Sequence, residues 1–311
     1  MSKDCCSFNF FFFFFFFFDL LWSLGEQVQY KRPVPDSIGT GLDVATTNNS
    51  VVVFSSMTSI SKEIAYGTHP LQRIKFFHYS PANTQCLVFV HGGAWRDPTN
   101  TYDDFNQLAQ HLQSQIPNFN FVGVNYRLSP EVKHPEHLMD LGAALSFLST
   151  SYNMSNCVLL GHSVGATLLM QLVNYNKIIE LSGVTVPAPL AVKISGMVFV
   201  DGIYDMVDLI EEYGSSYEEF VDNAFTNADG YINASQMTWK CKDNFDAKFK
   251  VLVVQSLEDE LLSLRQTKRF VEYLKNQKVI YELDTGDWGR HEEVYRREEL
   301  AQTVKKYLES L

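Results

Sequence analysis

Gly161-His162-Ser163-Val164-Gly165 constrains this chain more than any other stretch. It fits the pattern G-x-S-x-G, in which a serine stands on a sharp turn between a strand and a helix. Its flanks meet the same requirement. Cys157-Val158-Leu159-Leu160 before it is a short apolar run, the pattern of a strand buried on both faces. Ala166 to Val173 after it is apolar enough for a helix packed on a sheet. Glycines at both ends let backbone segments approach where a Cβ would obstruct them. A glycine-rich turn without chemistry uses the same letters, so the flanks carry the reading of Ser163 as a nucleophile.

The rest of the chain supplies a setting for such a turn. Cys86 to Val90 reads as a buried strand running directly into His91-Gly92-Gly93-Ala94-Trp95. A glycine pair at the end of a buried strand leaves backbone N–H groups free to point into a cleft. Together with the N–H of Val164 they would bind an oxyanion. The nearest pattern is an H-G-G-G loop, with Ala94 in place of the third glycine; taken alone, the stretch is an ordinary glycine turn. Arg73–His78, Phe119–Tyr126, Lys193–Val200, Lys250–Gln255 and Lys278–Leu283 read as further strands. Tyr102–Ser114, the segment opened by Pro135, Leu264–Asn276 and Glu292–Leu311 read as helices. This alternation predicts an α/β fold, a mostly parallel central sheet with helices on both faces. Met206 to Asp246 forms either a small cap over the site or surface helices.

Chain order locates the partners of the serine: nucleophile, then acid, then histidine. His291 is the single histidine after Ser163, between the last strand and the last helix. It is the candidate general base, and then general acid. The acid has four candidates: Glu258, Asp259 and Glu260 at one strand end, and Asp201 at another. Side chains alternate along extended chain, so Asp259 is expected to point away from Glu258 and Glu260. His134 and His137 are read as solvated residues at a helix start, since no third ligand accompanies them. No metal and no cofactor is expected.

Composition narrows the setting. A formal net charge of -11 argues against phosphate-backbone binding, so no nucleic acid is expected. Five cysteines, odd in number and scattered, point to a reducing, cytoplasmic compartment. Residues 1–56 differ from the rest: eleven of the 24 phenylalanines lie there, ten of them in Phe8 and the run Phe10 to Phe18. Asp19 ends that run far short of the roughly 20 apolar residues a membrane span needs. A basic n-region and a small-residue cleavage site are also missing. Residues 1–56 are therefore expected to be a low-complexity, disordered leader, with Met57 as an alternative start. Residues 57–311 would be the folded domain, with no membrane partner.

With these residues assembled, the chain resembles the kynurenine formamidases of the α/β-hydrolase superfamily, particularly the fungal form. The resemblance covers residue 60 or so to the C-terminus. It rests on His91-Gly92-Gly93-Ala94-Trp95, Asn125-Tyr126-Arg127-Leu128-Ser129-Pro130, Gly161-His162-Ser163-Val164-Gly165-Ala166, Asp201-Gly202-Ile203-Tyr204 and Asp259-Glu260-Leu261-Leu262. It implies an α/β-hydrolase domain at 57–311. It also implies hydrolysis of N-formyl-L-kynurenine to L-kynurenine and formate, in tryptophan breakdown toward NAD. Among the four acids it selects Asp259, with Ser163 and His291, and it assigns the oxyanion motif to His91–Trp95. A formyl group carries no acyl chain, so recognition must come from the amino-acid side. Trp95 and Tyr204 either stack on the aryl ring or pack in the core. The expected partner is the small-molecule substrate, and a homodimer is left open. The alternatives are a general carboxylesterase of the H-G-G type and a catalytically inactive binding protein on the same fold.

Overall fold

Five strands are apolar nearly throughout, and such strands are stable only between two layers of helices. In this computed structural model, which describes residues 62–185, 190, 192–235 and 249–311, they form the middle of one sheet. The strands are β1 (Lys62–Ala65), β2 (Arg73–His78), β3 (Gln85–Val90), β4 (Phe119–Val124), β5 (Asn156–His162), β6 (Lys193–Val200), β7 (Lys250–Ser256) and β8 (Ile280–Gly286). Their order is β1-β2-β4-β3-β5-β6-β7-β8. β2 runs antiparallel to both of its neighbours, and every pairing from β4 to β8 is parallel. The expected sheet is therefore present. The phenylalanine-rich leader lies outside the described residues.

Alternation along each central strand feeds two cores. On β3, Cys86, Val88 and Val90 face one layer, and Leu87 and Phe89 the other. The first layer comprises α2 (Glu136–Tyr152), α3 (Val164–Leu172), α4 (Tyr175–Leu181) and α8 (Leu264–Asn276). These contribute Leu138, Leu168, Ile178 and Phe270 among others. The second comprises α1 (Asn106–Gln113) and α9 (Glu298–Glu309), through Leu108, Leu112, Leu300 and Val304. Each such side chain, fully buried, contributes about 1.5–3 kcal/mol. Cys86 and Cys157 face each other on β3 and β5 as buried free thiols.

A third, smaller core lies over the ends of the parallel strands. There α5 (Met206–Tyr213), α6 (Ser215–Ala224) and α7 (Ala228–Ala234), with Phe225 just after α6, pack Leu209, Val221, Phe225 and Ala234 against Trp95, Val164, Ile203 and Leu262. Asp205 caps α5 by accepting from the Asp208 N–H, and Asn227 caps α7 through Gly230. Of the two readings for this region, the described part is a cap beside the elbow. Residues 236–246 lie outside the described residues.

Two expectations are corrected. The terminal helix starts at Glu298, not Glu292. Val294 and Tyr295 are buried in the second core, and this draws Val294–Arg296 into a 3₁₀ turn before α9 begins. His134 and His137 are buried rather than solvated. His137 pairs with the Ser129 hydroxyl at 3.1 Å, and burial lowers both imidazoles to about 3. Among the described residues, no helix is long and apolar enough to cross a membrane.

Candidate active site

The elbow has the geometry its sequence requires. β5 ends at His162, α3 begins at Val164, and Ser163 between them sits at φ 54, ψ −122. That is left-handed backbone, costly for any residue but glycine. Two close approaches hold the turn. A Cβ on Gly165 would lie 2.2 Å from the Val90 carbonyl oxygen, and one on Gly161 would lie 2.6 Å from the Gly165 backbone. The Ser163 N–H donates to the Val200 carbonyl at 3.0 Å, which ties the serine to β6.

Beside the serine lies the loop from β3. Gly93 has φ +86, and Ala94 and Trp95 follow at φ 49 and 59. Among the described residues, nothing accepts from the N–H groups of Gly93, Ala94 or Val164. The loop is held from behind by residues whose roles composition and spacing do not reveal. The His91 ring stacks on Tyr126, with centroids 4.4 Å apart and planes 9° from parallel. The Tyr126 hydroxyl lies 3.0 Å from both the His91 and Gly92 carbonyl oxygens. The Ser129 N–H donates to the Trp95 carbonyl at 2.8 Å. Burial lowers the His91 imidazole to about 4, so it is neutral.

His291 and Asp259 meet across the loop ends of β8 and β7. The ring Nδ1–H donates to Asp259 Oδ2 at 2.8 Å, with both side chains almost wholly buried. Asp259 is fully engaged. Its Oδ2 also accepts from Gln255, and its Oδ1 accepts from the Leu261 and Leu262 N–H groups at 2.8 and 2.9 Å. Burial pushes this carboxyl up, but His291 and the two N–H groups outweigh it and the net shift is downward. Burial likewise lowers His291, yet the Asp259 hydrogen bond and the charges of Asp259, Asp201 and Glu292 prevail, and its pKa is raised. The neighbouring acids also serve this turn: Glu258 accepts from the Gly289 N–H at 2.7 Å and Glu260 from the His291 N–H at 3.0 Å. The expected alternation of these three carboxylates does not occur. β7 ends at Ser256, the chain turns, and all three converge on residues 289–291.

Ser163 and His291 line one cavity of about 240 Å³ with Gly93, Ala94, Arg96, Tyr217, Phe220, Leu261 and Leu262. They are not hydrogen-bonded to each other in this structure, a spacing common before substrate tightens a site. Trp95 and Tyr204 do not line it. Trp95 is buried against Phe220 and Phe225 in the cap core, and Tyr204 stacks on Phe270 with centroids 4.0 Å apart. Of their two readings the structure shows core packing; the aromatic side chains lining the cavity are Tyr217 and Phe220. His162 was also unforeseen: its ring lies 4.6 Å from that of His291, and its Nε2–H donates to the His291 carbonyl at 2.9 Å. Among the described residues, two clusters bring metal-capable atoms together, His162-His291-Glu292 and Asp201-Asp259-His291. In the second, Asp259 and His291 Nδ1 are already hydrogen-bonded to each other.

The BD-FAE family profile matches residues 76–274. Among solved structures, esterase B from Lactobacillus rhamnosus superposes with a TM-score of 0.63 at 19% identity, covering 79% of this chain and 82% of its own. That likeness is of fold. The kynurenine formamidase of Debaryomyces hansenii is 39% identical over 78% of this chain and 97% of its own length. That of Meyerozyma guilliermondii is 42% identical over 79% and 93%. An α/β-hydrolase sheet carrying the elbow and the H-G-G loop, matched over nearly the whole of such relatives, places the chain in the kynurenine formamidase family.

Proposed function

We propose that the protein hydrolyses N-formyl-L-kynurenine to L-kynurenine and formate, with Ser163, His291 and Asp259 as its catalytic triad. The observation that carries this is one cavity holding Ser163 beside the Asp259-bound His291 ring, in a chain of this family. Asp259 holds the Nδ1–H tautomer, which leaves Nε2 bare as the base. His291 takes the Ser163 proton as Oγ bonds to the formyl carbon. The oxyanion faces the N–H groups of Val164 and of Gly93 and Ala94. The C–N bond then breaks and His291 gives its proton to the aryl amine. Water, deprotonated by His291, next attacks the formyl-serine; the C–Oγ bond breaks, formate leaves and Ser163 regains its proton.

The same cavity supports recognition of the rest of the substrate. Tyr217, Phe220, Leu261 and Leu262 offer an apolar wall for the aryl ring. Arg96 is the cationic side chain in the lining; its Nη1 donates to Glu219 at 3.0 Å, leaving other donors for a carboxylate. The test is direct. Purified protein should convert N-formyl-L-kynurenine to kynurenine and formate, and Ser163→Ala should abolish this while the fold is kept. Conversion by Ser163→Ala at the parent rate would overturn the serine mechanism, and greater activity on simple aryl esters would favour a general carboxylesterase.

A further inference from the structure

We propose that Asp201 is a second carboxyl of the His291 relay, a positioning residue that shares with Asp259 the stabilisation of the protonated imidazole. It is also the acceptor to which His291 turns when Asp259 cannot serve. This rests on the serine mechanism above.

Asp201 follows the last residue of β6 at φ +42, in the left-handed region that disfavours a side chain. The turn is held at both ends: the Asp201 N–H donates to the Val254 carbonyl, and Oδ1 accepts from the Ser256 N–H at 2.7 Å. These bonds fix the carboxyl between β6 and β7, whose following loop carries Asp259. The residue is fully buried, and Oδ2 has no hydrogen-bond partner among the described residues. A buried unpaired carboxyl oxygen is costly, so its persistence calls for a reason. The surroundings supply one. A carboxyl oxygen of Asp201, one of Asp259 and a ring nitrogen of His291 all lie within 4.8 Å of one another.

Asp201 thus faces His291 and Asp259, with Glu260 and the Tyr204 hydroxyl further out. His291 is faced in addition by Glu292 and His162. Burial first, and the Asp259 charge second, raise Asp201 to about 7. Asp201 and His291 therefore influence each other's protonation: a positive ring favours the ionised carboxyl, and the ionised carboxyl favours the positive ring. No covalent bond is made by Asp201; it acts through the ring.

The experiment measures kcat and KM against pH for the parent, Asp201→Asn, Asp259→Asn, the double variant and Ser163→Ala, each checked for folding. Asn keeps an oxygen for the Ser256 N–H while removing the charge. Asp201→Asn should move the acid limb of kcat/KM to lower pH by roughly half a unit, since an anion near the ring raises its pKa. Adding Asp201→Asn to Asp259→Asn should cost a further tenfold or so in kcat with KM little changed. An unmoved acid limb, or a double variant equal to Asp259→Asn, overturns the proposal. If Asp201→Asn fails to fold, Asp201→Ser is measured in the same way. Ser163→Ala separates the two readings: inactive, with no effect at Asp201, it leaves the serine mechanism standing and removes only this role.

Discussion

The Tyr126 hydroxyl lies 3.0 Å from the carbonyl oxygens of both His91 and Gly92, and so pins the two residues that lead into the Gly93–Trp95 loop. Tyr126 is almost fully buried, so no water replaces it. Tyr126→Phe should keep the stacking on His91 and lose about 1 kcal/mol of stability. If the loop N–H groups serve the transition state, kcat should fall about tenfold with little change in KM. Thermal melts and steady-state kinetics decide this; unchanged kcat would mean the loop is set without the hydroxyl.

The acid limb of the reaction follows from His291. As a base it must be neutral, and its partners raise its pKa above the ordinary 6.5. Activity should therefore be lost as pH falls through a midpoint above 6.5, earlier than an unperturbed imidazole would give. A kcat/KM profile flat to about pH 5 would exclude His291 as the base.

The three adjacent carboxylates should separate by role. Asp259→Asn would favour the wrong tautomer and cost up to about 10⁴ in kcat. Glu258→Gln keeps an acceptor for the Gly289 N–H and should stay within a few-fold of the parent. Glu258→Ala removes that acceptor, loosens the His291 turn and should lose roughly tenfold. A Glu260→Gln variant that collapses while Asp259→Asn works normally would reverse the assignment of the acid.

Arg96 should act on binding rather than chemistry. Arg96→Ala is expected to raise KM for N-formyl-L-kynurenine about tenfold with kcat nearly unchanged. For 2-formamidoacetophenone, which carries the reacting group without the amino-acid end, both constants should match the parent. Equal losses on the two substrates would assign Arg96 to the scaffold, through Glu219.

Acid should destabilise the fold through its buried neutral histidines. His91, His134, His137 and His162 all have lowered pKa values, burial being the first cause of each. Below their unfolded pKa the unfolded chain binds these protons and the native chain does not, so stability falls as pH falls, by about 1.4 kcal/mol per unit for each. Asp104 and Asp201, raised to about 6 and about 7, bind protons in the native state and oppose this over part of the range. His291, raised, adds stability at low pH that is lost as pH rises through its folded pKa. Denaturant midpoints at about pH 7 and about pH 5 should differ clearly, and less so in His134→Phe, which keeps a ring against Phe225. Midpoints independent of pH would contradict the buried neutral states.

The sheet was legible because its central strands are buried on both faces and read as uninterrupted apolar runs. The elbow was legible because steric necessity writes glycine at 161 and 165. The meeting of Asp259 with His291 was legible only through chain order and family resemblance. The local geometry at 258–260 was not, because a turn replaced the extended chain on which alternation depends. Trp95 and Tyr204 were open because an aromatic side chain carries no mark of whether it faces a ligand or a core; here the neighbours Phe225 and Phe270 decide. Tyr126 and His162 act on main-chain carbonyls, and a carbonyl looks the same at every position of a sequence.

The close contact of Gly165 with the Val90 carbonyl has a consequence for how such an enzyme diversifies. Ser163 stands on a turn locked to the neighbouring strand at a distance that tolerates no added atom, so the elbow cannot drift by small steps. The surfaces that would select a substrate, at Arg96, Tyr217, Phe220, Leu261 and Leu262, stand on loops and on the cap, outside that lock. Substrate range and bond-breaking chemistry are thus separable in this architecture. Retargeting by exchange of α5–α7 and residues 96–100 would leave the elbow and the Gly92–Trp95 loop in place.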